Sequence, residues 1–181
     1  MNKETLEMII KAFNTAADKS SYRYELQCVR ITKKPNTTLL IEATDGHILS
    51  RVFVKDSIVD DNSLPEVFYF HETQVKTLKD LHKKGFRSLI KDDKVILENE
   101  TLKVESVKVD NYPDVDSVTR GMMIENPVIE IRLNPELLIA LSKSILSGKN
   151  KGVKLTIKDK LSPILVSVDE NNKGLIMPMK F

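Results

Sequence analysis

The sequence predicts an α+β fold in which helices gather on one face of curved antiparallel sheets. Two observations predict it. A helical apolar stripe followed by short strands recurs along the chain, and turn residues separate those strands. Composition agrees with a folded domain. Hydrophobic residues make up 41% and charged residues 30% of the 181 residues, too apolar a mixture for a disordered chain.

The first repeat, residues 1–62, opens with Leu6, Ile9, Ile10 and Phe13 at helical spacing, extended by Ala16 and Ala17. A strand is expected over 22–32. Two more are expected within 38–54, joined at Asp45-Gly46, a strong hairpin signal between apolar runs. The second repeat, 63–120, has an expected strand at 67–70 and a helix over 73–84, with Val75, Leu78 and Leu81 inward and Gly85 as its C-terminal stop. Strands are then expected at 88–91, 94–98 and 102–109.

The third repeat, 121–181, begins with an expected strand at 128–133. Asn134-Pro135 supplies an N-cap and a first-turn proline. Leu137, Leu138, Leu141 and Ile145 are expected to form the buried face of the helix, and Gly148 its end. Strands are expected at 153–158, 164–169 and 175–180. Each repeat thus runs strand, helix, three strands, although the first lacks a clear opening strand. Ile90-Lys91-Asp92 in the second repeat is echoed by Ile157-Lys158-Asp159 in the third.

The carboxyl end is unusual. Leu175, Ile176, Met177, Met179 and Phe181 make it mostly apolar, whereas chain ends are commonly polar and frayed. Two flexible thioethers beside Pro178 suit an adaptable groove. Such a tail packs on its own fold or lines a surface that receives a partner.

Three motifs occur in order: Ala43-Thr44-Asp45-Gly46-His47, Tyr112-Pro113-Asp114, and Met177-Pro178-Met179-Lys180-Phe181. Together they resemble the bacterial DNA polymerase III β sliding clamp, where an A-T/V-D-G-H-R-L hairpin, an F-P-D segment and a terminal M-P-M-R-L recur. The resemblance implies the DNA-clamp fold. Residues 1–120 would form one complete clamp-like domain, with half-units 1–62 and 63–120, and 121–181 a clamp-like half-domain. The chain would be a truncated clamp of the kind a phage or mobile element encodes.

In the resembled family these motifs enclose an apolar cleft that takes short linear motifs from polymerases and the clamp loader. Carried over, the cleft would use Leu26, Thr44, Gly46, His47, Leu49, Pro113, Val118, Leu175, Ile176, Met177, Pro178 and Met179. The chemistry fits, because an apolar pocket holds leucine and phenylalanine anchors while a few polar groups fix orientation. The chain departs from the pattern at Ile48, where the family has arginine, and at Asp116-Ser117-Val118-Thr119-Arg120, where it has R-R-V-L-P after the aspartate.

Lys+Arg 28 against Asp+Glu 26 leaves a net charge of +2, so any nucleic-acid role depends on where the lysines sit. Lys76, Lys79 and Lys83 form one stripe opposite the apolar face of their helix, extended by Lys84 and Arg87. Lys143, Lys149, Lys151 and Lys154 cluster around the end of the third repeat's helix. Lys11, Lys19 and Arg23 are diluted by Glu4, Glu7 and Asp18.

By the resemblance, Lys11, Lys19, Arg23, Lys76, Lys79, Lys83, Lys143 and Lys149 would face duplex DNA, bound without sequence readout. Sliding requires phosphate contacts without groove hydrogen bonds. Three repeats make an arc, so a ring would need further subunits, as a homo-oligomer or as a mixed ring with a host clamp. An unpaired third repeat would complete a domain with its copy in a neighbouring chain through a two-fold interface.

Composition also sets the expected exclusions. Cys28 is the only cysteine and is expected to be buried and inert, consistent with a cytoplasmic location. No apolar stretch reaches the length of a membrane span, so no membrane partner is expected. With no Trp and 6% aromatics, stacking platforms for single-stranded bases are not expected. No metal-ligand spacing or Gly-rich phosphate loop accompanies His47, His71 and His82, so neither cofactor nor metal is implied and the protein is expected not to be an enzyme.

The expected function is a sliding clamp, or polymerase processivity factor. The alternative is a clamp-like decoy that captures clamp-binding peptides without encircling DNA. A hydrolase is a distant third reading.

Overall fold

The computed structural model describes residues 1–18, 20–56, 64–120, 129–145, 152–170 and 172–179, with backbone only at 118–120. The chain divides into two compact units, Met1–Val115 and Asp116–Phe181.

The N-terminal unit starts with α1 (Lys3–Ala12). Asn2 caps it, its side-chain oxygen accepting from the Thr5 amide at 2.7 Å. Leu6 and Ile9 are fully buried, as their spacing predicts.

The strand expected over 22–32 is instead a 3-10 turn, Tyr24–Gln27, followed by β1 (Cys28–Lys34). Side-chain and backbone bonds produce the turn. The Leu26 carbonyl accepts from Ala17 N at 2.8 Å, and the Gln27 amide donates to Ser21 O at 2.6 Å. Both bonds curl the chain and drive Leu26 inward, where it is 3% exposed.

β2 (Thr38–Thr44) and β3 (Leu49–Lys55) form the expected hairpin, and β4 (Val67–His71) completes a sheet ordered β3-β2-β1-β4. A 3-10 turn, Glu72–Gln74, then leads into α2 (Val75–Lys84). His71 caps that turn: its ring Nδ1 accepts from Thr73 N at 3.2 Å, while Gln74 Oε1 accepts from His71 N at 2.8 Å. α2 ends at Gly85, whose φ of +90° is the left-handed backbone that favours glycine. Leu78 and Leu81 are fully buried, and Val75 is half-buried.

β5 (Arg87–Lys91), β6 (Lys94–Glu98) and β7 (Lys103–Glu105) form a second sheet in the order β5-β6-β7. The strand expected to reach residue 109 stops early at Ser106, whose hydroxyl accepts from Val95 N at 2.9 Å while its own amide still donates to Val95 O at 2.8 Å. Pairing resumes at Val107, which donates to Tyr69 O at 2.8 Å and so ties this sheet to β4. α1 and α2 pack together, and one core takes in Leu6, Ile9, Ile41, Phe70, Leu78, Leu81 and Leu97.

A short helix, α3 (Val115–Arg120), has no counterpart among the expected elements. In the C-terminal unit the strand expected at 128–133 is reduced, among its described residues, to one bridge between Arg132 and Met179. α4 (Pro135–Ile145) starts as expected, with Asn134 Oδ1 accepting from Glu136 N at 2.9 Å. Gly148 lies outside the described residues.

β8 (Lys154–Thr156), β9 (Ile164–Ser167) and β10 (Lys173–Ile176) form a sheet ordered β10-β9-β8. β10 starts before the expected 175, since the Asp169 carboxylate accepts from Asn172 N at 2.8 Å and turns the chain early. Ile164, Val166 and Ile176 are buried beneath Leu138, Leu141 and Ile145. Leu137, expected in that face, is 56% exposed, because one helical step rotates it about 100° from Leu138. Gly174 lets α4 sit close: a Cβ there would lie 3.2 Å from Leu141 Cγ.

Candidate functional site

The Asp45–Ile48 turn between β2 and β3 is fixed by its own side chains. Thr44 Oγ1 donates to Ile48 O at 2.6 Å and accepts from Gly46 N at 3.0 Å. Asp45 Oδ1 accepts from His47 N at 2.8 Å and Ile48 N at 2.9 Å. Those two amides, Ile48's first, hold the Asp45 carboxyl below its usual range. Gly46 has φ +94°, and a Cβ on it would lie 3.8 Å from Leu26 Cδ1.

Leu26, Thr44 and Gly46 therefore meet at one place. Thr44 is 8% exposed; His47 and Ile48 face solvent, and Leu49 is half-buried at the start of β3. What this turn offers outward is a glycine surface, an imidazole and an isoleucine.

Tyr112 anchors the next motif to the same sheet. Its hydroxyl donates to Glu42 O at 3.3 Å, the Arg30 guanidinium lies 5.1 Å from its ring centre, and Tyr69 packs at 5.5 Å. Burial pushes the Tyr112 phenol well above its ordinary range. Pro113, half-buried, follows directly, and its carbonyl accepts from Val115 N at 2.8 Å. The Val118 side chain lies outside the described residues.

Beneath Tyr112 runs a polar row that sequence reasoning missed. The register sets Arg51, Glu42, Arg30 and Tyr69 opposite one another across β3, β2, β1 and β4. Glu42 is fully buried. It accepts from Arg30 Nε at 2.8 Å and Nη2 at 2.6 Å, and its other oxygen lies 2.8 Å from Arg51 Nε. The available signal was a lone carboxylate within the apolar run 38–44, flanked in hairpin register by two arginines.

The tail belongs to the C-terminal unit. Ile176, one of the expected cleft residues, is 5% exposed and packs with Ile164 and Val166. Strand alternation turns its neighbour the other way: Leu175 is 65% exposed, with Met177 at 60% and Met179 at 46%. Pro178 is half-buried, and Met179 N donates to Arg132 O at 2.8 Å. Lys180 and Phe181 lie outside the described residues.

Among the basic residues, Lys76, Lys79 and Lys83 are exposed along one side of α2, and among the described residues none of them is in an ion pair. Lys84 and Arg87 are exposed too, Arg87 bound to Glu98 at 2.8 Å. Lys11 pairs with Glu7 at 2.7 Å and Arg23 with Glu25 at 2.9 Å, which occupies both charges locally. Lys143 is exposed on α4 and Lys154 on β8. Lys19, Lys149 and Lys151 lie outside the described residues.

Cys28 is buried, its thiol pushed up to about 12 by burial. The described residues hold no group of three His, Cys, Asp or Glu side chains able to bind a metal, and no helix long and apolar enough to cross a membrane.

No protein-family model and no curated protein sequence matches the chain. Solved structures do. The C. crescentus β sliding clamp aligns with TM-score 0.74 and 17% identity over 98% of this chain and 50% of its own. The Bacillus subtilis DNA polymerase sliding clamp aligns with TM-score 0.67 and 22% identity over 98% and 48%. The Bartonella birtlesii DnaN sliding clamp, solved bound to griselimycin, aligns with TM-score 0.69 and 15% identity over 100% and 51%. The chain spans about half the length of these proteins. Its α+β architecture of helices on antiparallel sheets is the fold of the DNA polymerase III β sliding clamp.

Proposed function

We propose that the chain is a processivity factor: several copies surround duplex DNA without sequence preference and tether a polymerase through short peptide motifs. The observation that carries this reading is the exposed Lys76–Lys79–Lys83 stripe on α2 of a clamp fold. Mobile ammonium groups contact phosphates without reading bases, so the protein is retained by topology while each contact stays weak. Peptide contacts would be made by Leu26, Thr44, Gly46, His47, Leu49 and Pro113 in the N-terminal unit and by Leu175, Met177, Pro178 and Met179 in the tail. The peptide would insert leucine and phenylalanine anchors. No catalytic group is needed. A loader ATPase becomes a partner if the ring closes.

Retention on DNA tests the reading. The protein should remain on nicked circular duplex through gel filtration at moderate salt and slide off the same DNA once linearised. Equal loss from both forms removes the ring.

A second reading rests on Ile48, which stands where the resembled family has arginine. A peptide-capturing decoy would bind a motif peptide, or griselimycin, with no retention on circular DNA.

A further inference from the structure

In the N-terminal unit two helices pack on each other and share one core, whereas in the C-terminal unit α4 packs against β9 and β10. Leu138, Leu141 and Ile145 face that sheet, yet no residue of α4 is fully buried. On its opposite face stand Glu136, Ile139, Ala140 and Lys143, all exposed, at the i, i+3, i+4, i+7 spacing of a single stripe. The corresponding stripe of α2 carries Lys76, Lys79 and Lys83. An isoleucine 53% exposed at the centre of such a stripe suits protein better than a phosphate backbone.

We infer that this face of α4 pairs antiparallel with α4 of a second copy of the chain. The stripe is self-complementary in charge and in size. A two-fold axis passing between Ile139 and Ala140 sets Glu136 opposite the partner's Lys143, and Lys143 opposite the partner's Glu136. The same axis sets Ile139 against the partner's Ala140, a large side chain on a small one, so the helices can approach within about 8–10 Å. Parallel pairing about a two-fold axis along the helices would oppose like charges, which selects the antiparallel arrangement. Lys143 is thereby assigned to protein pairing, leaving phosphate contact to α2.

The gain for the C-terminal unit is core. Among the described residues its buried apolar side chains are Ile164, Val166 and Ile176, a small core for a unit of that size. Pairing also covers apolar surface that would otherwise face water.

The test is sedimentation equilibrium on the full chain without DNA, at low salt. Wild type should self-associate. E136K and K143E should each weaken association by at least about tenfold, because each turns two attractive pairs into repulsive ones. E136K/K143E, which restores opposite charges in exchanged positions, should recover the wild-type constant within about threefold. I139D should dissociate the protein without changing its circular dichroism. A monomeric wild type overturns the inference. So does association that ignores the charge reversals, which would place the contact elsewhere, such as at a sheet edge.

Discussion

Glu42 is a charge placed inside a strand that is otherwise core, and its neighbours explain how the fold tolerates it. Arg30 and Arg51 reach it from both sides, and Tyr112 lies over the row, bonded to the Glu42 carbonyl. Glu42→Gln would leave two guanidiniums facing a neutral amide. Because both arginines keep some access to water, the expected loss is about 2–3 kcal/mol, read as a lowered urea midpoint.

His71 adds pH dependence. Burial lowers its pKa below the ordinary 6.5, so the unfolded chain binds the proton more readily than the native one. Stability is therefore full above about 6.5 and falls as pH drops from there towards the lowered native value. Protonation of Nδ1 also removes the acceptor that caps the turn before α2. Thermal melts between pH 7.5 and 5 should show this fall, and His71→Gln should flatten it. An unchanged slope would assign the acid sensitivity to other groups.

At the scale of elements, local chemistry was the legible part. Asn134-Pro135 and Gly85 mark helix ends because caps are written in single residues, and Asp45-Gly46 marks a hairpin for the same reason. What stayed hidden depends on contacts between distant residues. The 3-10 turn before β1 follows from bonds to Ala17 and Ser21, and β7 ends early at Ser106, which is bonded to Val95. Leu137 was assigned to the buried face by apolarity, whereas helical geometry decides which of two adjacent apolar residues turns inward. Glu42 was visible only in hairpin register. For α2, charge pattern alone predicted an exposed lysine stripe, and it is exposed. Replacing Lys76, Lys79 and Lys83 by glutamine should weaken binding to any duplex equally and reduce the slope of log K against log salt by about 2–3. A change confined to one sequence would show base readout instead.

For the molecule as a whole, the resemblance rests on three motifs divided between two units, and the fold they implied is the fold found. The tail's part in function is open to a direct test. Removing Met177–Phe181 takes away two exposed methionines and should abolish capture of a Leu/Phe-anchored peptide while α4 and β8–β10 keep their circular dichroism. Undiminished affinity would take the tail out of the cleft.

Peptide capture, as proposed, would also involve the Asp45–Ile48 turn of the N-terminal unit. Thr44 and Asp45 tie that turn with four hydrogen bonds and Gly46 supplies its left-handed residue, so a peptide docking there would meet a pre-shaped surface. Little ordering entropy remains to be surrendered on that side, and the association rate should approach that of a rigid receptor rather than a loop that must first be caught.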